Sequence, residues 1–305
     1  MTNPAPIESE VAVAQVPDLG QDIYTHVAEL KGQDGVRSVF GGILLAQAVS
    51  AASDTVKPGF EMYSLQSSFI KPVIAGSKEK VTFRVDRTAD GRSFATRHVR
   101  TFQGSVCVHL ATISFHNTTA PVGPILQYQV SPPKIDISPE DIPAEAVDKF
   151  NASLISQSVP LLKHKTDEMP FDWRIVGMEM TGNATDARLR AFVRSRPLSS
   201  ERPSLHLAAF VYLSDQWGFG VALAANPKAV GRGMHNVAFG ASLTHNLTFH
   251  DSRVKVDDWL IVERETSWGG EGRVLVHQKV WDVKTGRLVM SGTQEAVVRL
   301  KESKL

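Results

Sequence analysis

Two runs of the chain are apolar almost all the way round: Ile43-Leu44-Leu45-Ala46-Gln47-Ala48-Val49-Ser50-Ala51-Ala52, preceded by Gly41-Gly42, and Leu205 to Trp217. A run of this kind predicts a helix enclosed by other structure rather than one lying on a surface. Long alternating segments follow each run. In the first half they cover about 62–74, 79–88, 92–103 and 105–116, broken by Asp90-Gly91 and Gln103-Gly104, which are hairpin signals. In the second they cover about 240–250, 258–268, 272–283 and 287–299, with turns at Gly269-Gly270 and Thr285-Gly286. Between the halves, Pro121, Pro124, Pro132, Pro133, Pro139, Pro143 and Pro160 limit regular structure to short pieces, so 118–170 reads as a linker wrapped over a surface.

The halves can be laid over each other. Tyr63-Ser64-Leu65 answers Ala241-Ser242-Leu243, and Arg92 to His109 answers Arg273 to Met290. A repeat this long is too large for a solenoid and suits two copies of one α+β domain. The expected organisation is a tail over 1–19, a first domain over 20–117, the linker, a second domain over 171–300 and a short tail over 301–305.

Composition narrows the classes. With 33 Lys and Arg against 32 Asp and Glu, the chain has no global basic field to recruit nucleic acid. No apolar run is expected to span a membrane, and Met1 to Gln15 has acids where a signal peptide needs bases. Cys107 is the single cysteine, which excludes internal disulfides and cysteine-built zinc sites. Its apolar neighbours, Val106 and Val108, predict a buried structural thiol. The chain ends in Ser303-Lys304-Leu305, which as a free C-terminus is a receptor-read peroxisomal address. That ending points to a peroxisomal import receptor as a partner, the peroxisome matrix as the location, and acyl chains on coenzyme A as substrates.

The sequence is similar to the acyl-CoA thioesterase II family of double-hotdog thioesterases. The resemblance runs from about residue 20 to residue 300. It is carried by Phe40-Gly41-Gly42-Ile43-Leu44-Leu45-Ala46-Gln47-Ala48, Asp90-Gly91-Arg92-Ser93-Phe94 and Gly292-Thr293-Gln294-Glu295, with Ser64 to Pro72 and Ala241-Ser242-Leu243-Thr244-His245. It implies an α+β double hotdog: two helices, each wrapped by an antiparallel sheet, the sheets joined edge to edge. It also implies hydrolysis of acyl-CoA to fatty acid and coenzyme A, in peroxisomal fatty-acid metabolism, with no metal or redox cofactor. Pairing of edge strands and sheet faces implies a homo-oligomer.

The family's water-holding acid, hydroxyl and amide fall on Asp215, Ser242 and Gln294. The residue chemistry agrees. A carboxylate at the end of the apolar run Phe210-Val211-Tyr212-Leu213-Ser214 is costly unless paired or working. Gln294 interrupts a strand that continues as Ala296-Val297-Val298. Several relatives have histidine where this chain has Gln66, which cannot titrate near neutral pH. Arg92, Arg232 and Arg273 are weak candidates for the coenzyme A phosphates, since hairpin and loop roles account for them equally well. Aromatic residues such as Phe40, Phe69, Phe94, Tyr212, Trp217 and Phe219 suit either an acyl tunnel or plain core.

A Ser-His-Asp hydrolase is the rival chemistry, since Ser242, His245 and His250 are close in sequence. It lacks a G-x-S-x-G elbow, and strict alternation sends His245 to the face opposite Ser242. Two other classes, a non-hydrolytic acyl-CoA-binding hotdog protein and a hotdog enoyl-CoA hydratase, stay open. The first has no need of the three polar residues together, and the second lacks its Asp and His five residues apart in a Gly-Asp-rich loop.

Overall fold

The computed structural model describes residues 4–32, 37–121, 123–144, 169–231 and 234–302. Twelve strands form one antiparallel sheet: β1 (Val13–Gln15), β2 (Ile23–His26), β3 (Phe60–Phe69), β4 (Val81–Asp90), β5 (Phe94–Gln103), β6 (Val106–Asn117), β7 (Phe171–Glu179), β8 (Arg188–Ser195), β9 (Val237–Phe249), β10 (Leu260–Gly270), β11 (Arg273–Asp282) and β12 (Leu288–Leu300). Their order is β1-β2-β4-β5-β6-β3-β9-β12-β11-β10-β8-β7. Each half thus contributes six strands, and the halves meet where β3 pairs with β9, from Ser64 opposite Thr248 to Ser68 opposite Thr244. This is the expected α+β double hotdog with one continuous sheet.

The helices are α1 (Pro6–Val11), α2 (Gly41–Ser53), α3 (Pro203–Asp215), α4 (Gly220–Ala224) and α5 (Pro227–Val230). In α2 and α3 nearly every residue is buried, as their all-round apolarity predicts. The two run side by side in opposite directions. A methyl on Gly42, at the start of α2, would lie 2.9 Å from the Tyr212 carbonyl near the end of α3. Glycine at this crossing lets the helices touch backbone to backbone.

Three expectations need correction. Four strands, β1, β2, β7 and β8, were not anticipated; the first two are only 3 and 4 residues long, and β7 is bent by a register shift between Ile175 and Gly177. The stretch Pro203–Ala224 does match a membrane-crossing helix in length and apolarity. Here it is α3 and α4 broken at the Gln216–Phe219 corner, most of it enclosed by the protein. Cys107 is half-buried rather than sealed in, with its Sγ 3.8 Å from the His109 carbonyl oxygen.

Of the expected linker, residues 145–168 lie outside the described residues. The described part is strapped across the second half: Gln129 bonds Gly286 O and Leu288 N, Trp281 Nε1 donates to Val130 O at 3.1 Å, and Trp259 Nε1 to Glu140 Oε1 at 2.7 Å. Arg174 reaches Ile142 O at 2.6 Å.

Candidate active site

Asp215 is the last residue of α3, where a helix leaves its final carbonyls unpaired. Arg264, on β10 and 1% exposed, meets that need: it donates to Gln216 O at 2.5 Å, Ser214 O at 3.1 Å and Gln278 Oε1 at 3.1 Å. The chain then turns sharply at Trp217, whose φ of 53° is uncommon for a bulky residue. Gly218 closes the turn through its N–H to Asp215 O at 3.1 Å. The turn fits under Gln294, since a methyl on Gly218 would sit 1.8 Å from Gln294 Oε1.

Asp215, Ser242 and Gln294 come together, from α3, β9 and β12. Gln294 Nε2 donates to Asp215 Oδ1 at 2.6 Å and to Ser242 Oγ at 2.7 Å. Both amide hydrogens are therefore used, and the Ser242 hydroxyl, an acceptor from Gln294, keeps its own hydrogen to give. Ser242 Oγ donates that hydrogen to Asp215 Oδ1 over a long 3.5 Å. The start of α2 completes the group: the Gly42 N–H bonds the Asp215 carboxylate, and a methyl on Gly41 would meet Asp215 Oδ2 at 2.9 Å. A helix N-terminus is a natural place for negative charge.

Burial pushes the Asp215 carboxyl up to about 7, although Gln294, Arg264, Gly42 and Ser242 each favour the anion. Desolvation outweighs four favourable partners because the group is 6% exposed. A carboxyl poised near neutrality can take a proton and give it back within one turnover.

His245 lies in this site, against expectation. The register of β9 with β12 shifts between Thr244, opposite Glu295, and Ser242, opposite Ala296. Leu243 is thus an extra residue, a β-bulge that turns the strand's parity over. Ser242 and His245 end on the same side, and His245 Nδ1 lies 3.8 Å from Asp215 Oδ1. The rival triad fails for another reason: His245 Nε2 is bonded to Ser214 Oγ at 2.8 Å, not to Ser242. Ser214, the hydroxyl that mimics a nucleophile, is completely buried. His250 is engaged elsewhere, with Ser291 Oγ at 2.9 Å. A cavity of about 10 Å³, near the size of one water, is lined by His245 and Gln294 among others.

The weaker candidates lie apart from this group. Gln66 is exposed on the outer side of the sheet, where it lines a polar groove of about 390 Å³ with Asn246, His277 and Lys279. Arg92 is exposed in the β4–β5 hairpin, and its carbonyl accepts from Asn117 Nδ2. The Arg273 guanidinium is held by Glu295 at 2.5 Å and Glu271 at 3.4 Å and sits over the Trp268 ring. Arg232 lies outside the described residues. Arg264, His245 and Gly218 were missed. A buried arginine on an alternating strand reads like any solvated strand charge, and no local signal announces the Leu243 bulge.

The chain matches the N-terminal domain of the acyl-CoA thioesterase family over residues 32–116 and its C-terminal domain over residues 139–298. It is 30% identical to acyl-coenzyme A thioesterase 8 of Mus musculus over 280 residues, covering 88% of this chain and 83% of the relative. It is 24% identical to peroxisomal acyl-coenzyme A thioester hydrolase 1 of Saccharomyces cerevisiae over 313 residues, covering 87% and 86%. Among solved structures it resembles the acyl-CoA thioesterase II TesB2 of Mycobacterium marinum, with a TM-score of 0.73 and 26% identity over 98% of this chain and 100% of that one. With two matched domains in sequence order, filling the two halves of one sheet, the chain belongs to the acyl-CoA thioesterase family.

Proposed function

We propose that this enzyme hydrolyses acyl-CoA thioesters to free fatty acid and coenzyme A by attack of a water held among Asp215, Ser242 and Gln294. The observation that carries the reading is the Gln294 amide, which ties the Asp215 carboxylate to the Ser242 hydroxyl with both its hydrogens. A water between Ser242 and Asp215 would take on its lone pair the Ser242 hydrogen that otherwise spans a long 3.5 Å to Asp215 Oδ1, and would give one of its own protons to the carboxylate. The water oxygen attacks the carbonyl carbon as Asp215 takes the proton. The oxyanion forms beside the first turn of α2, where Gly42 already serves Asp215 and the Gly41 N–H lies at the same helix end. As the C–S bond breaks, the proton on Asp215 passes to the departing thiolate, and the base is restored.

The test is release of free thiol from acyl-CoAs of graded chain length, by the native protein and by Asp215→Asn. The expected loss is about 10²–10⁴ in kcat/KM, the worth of general-base help. Full activity in the variant sinks the assignment. Binding without turnover by the native protein favours the acyl-CoA-binding alternative.

The same reading places the enzyme in the peroxisome matrix, on the support of Ser303-Lys304-Leu305, which lie outside the described residues, and of the yeast relative's name. Deleting Leu305 from a fluorescently tagged chain with a free C-terminus is expected to leave it cytosolic. Self-association belongs to the reading too, supported by exposed Tyr63, Phe94, Phe239 and Trp268. Sedimentation at micromolar concentration checks it.

A further inference from the structure

His245 has a hydrogen-bond arrangement that fixes which of its nitrogens carries the proton. The Ser214 hydroxyl has a single hydrogen, and it goes back to the helix, to Val211 O at 2.7 Å. The oxygen of Ser214 must then accept from His245, so Nε2 bears the hydrogen of the 2.8 Å contact. The ring is neutral, since burial, Arg264 and His109 drive its pKa down to about 3. The lone pair is therefore on Nδ1. That atom is buried without a hydrogen-bond partner and faces Asp215 Oδ1 across 3.8 Å. A neutral ring excludes an ion pair here.

We propose that His245 is a positioning residue for the reaction: its tautomer, locked by Ser214, presents an unprotonated nitrogen to Asp215 and strengthens that carboxyl's hold on a proton. A lone pair facing a carboxylate oxygen opposes the anion. When Asp215 takes the water's proton, the same lone pair becomes an acceptor for it, and a short movement closes the gap to a hydrogen bond. The other groups around the pair are Gln294 from β12, Ser242 from β9, the Gly42 N–H from α2, Tyr212 on α3, Arg264 and Gln278 from β10 and β11, and the buried His109 from β6. Ser67 on β3 donates to the His245 carbonyl at 2.8 Å and holds the strand in place. Among them Gln294, Gly42, Ser242 and Arg264 favour the carboxylate, whereas the unpartnered His245 Nδ1 favours its acid form. This inference rests on Asp215 being the base.

The experiment is the pH profile of kcat/KM for thioester hydrolysis, with ¹⁵N spectra of the histidine rings. In the native protein the spectra are expected to show His245 as the Nε2–H tautomer across pH 6–9. Ser214→Ala removes one oxygen and with it the lock. The ring can then place its hydrogen on Nδ1 and donate to Asp215, so the acid limb is expected to move down by about one pH unit. His245→Gln, whose amide can donate to the carboxylate, is expected to move it the same way. An Nδ1–H tautomer in the native protein overturns the proposal, as does an acid limb that stays in place in both variants. Failure of the underlying reading looks different: Asp215→Asn would then keep full activity or keep the native acid limb.

Discussion

The two halves share one scaffold and differ at the positions that matter. Each has a 13-residue helix, and each has a first long strand bulged against its partner, at Tyr63 in β3 and at Leu243 in β9. The bulges move the correspondence expected from the sequence, Ser64 with Ser242, by two residues: Ser242, His245 and Gln294 correspond to Met62, Leu65 and Ile113, all three almost fully buried. At the helix ends, Asp215 corresponds to Ser53, while Gly41 corresponds to Pro203, which has no N–H. The first half also buries an arginine, Arg97, but Thr55, Ala89, Asp90 and Thr96 take up its hydrogens. One end of the helix pair thus carries the candidate site, and at the other the buried polar groups satisfy one another. The site-bearing end needs both halves, since its carboxylate ends α3 and its helix N-terminus begins α2. The frame is common to both halves, and Ser242, His245 and Gln294 stand where the second half departs from the apolar positions of the first.

The sharpest way to break this comparison is to empty the apolar counterpart. Leu65→Ala is expected to cost about 2–5 kcal/mol of stability while kcat/KM per folded molecule stays within about twofold. Urea unfolding and assay of the same preparation check both, and a collapse of kcat would show that the apolar counterpart positions of the first half take part in the chemistry. Next comes Gly218→Ala, which pushes Gln294 off its two partners; a misplacement near 1 Å is expected to lower kcat about a hundredfold.

A pH-dependent effect follows in size. The folded pKa of Asp215, about 7, lies above the unfolded value of 3.8, so its neutral form is favoured by folding. Its contribution is fully present below pH 3.8, fades as pH rises towards 7, and is absent above. Asp215→Asn removes that loss and is expected to be roughly 1–3 kcal/mol more stable than the native chain at pH 8, with the gain vanishing near pH 4. Thermal melts at the two pH values measure it. Smallest is Arg273→Ala, at the position that the strand register matches with Phe94 rather than with the expected Arg92. Its charge is already held by Glu295 and Glu271 on a partly exposed rim, so about 1 kcal/mol or less of stability and an unchanged KM are expected. A large rise in KM would instead make Arg273 a coenzyme A ligand.

The frame was legible in the sequence because buried helices and alternating strands leave long periodic marks. Both helices and the eight strands of 10 to 13 residues fall within a few residues of their expected spans, apart from the overlong end given to β3, while β7 and β8, of 9 and 8 residues, were not expected. The edge strands were not, since β1 and β2 are too short for periodicity to show. Of the candidate site, the three residues that the fold brings together and the sequence had singled out, Asp215, Ser242 and Gln294, were those carried by the family resemblance. His245 was placed on the wrong face because one extra residue, Leu243, inverts a period-two argument for everything beyond it. Arg264 and Gly218 matter through contacts with residues far along the chain, and neither has a neighbour in sequence that marks it.

The β3–β9 seam has a further consequence. Five residue pairs join the halves there, and the strap carrying Gln129, Val130 and Glu140 keeps them on one molecule. Two separate chains meeting along such a seam would part on dilution, and a shared site would part with them. A covalent tether instead holds each half at an effective concentration of about millimolar or more towards the other. Turnover per chain should therefore stay constant from micromolar to nanomolar protein, whatever larger assembly comes apart on the way.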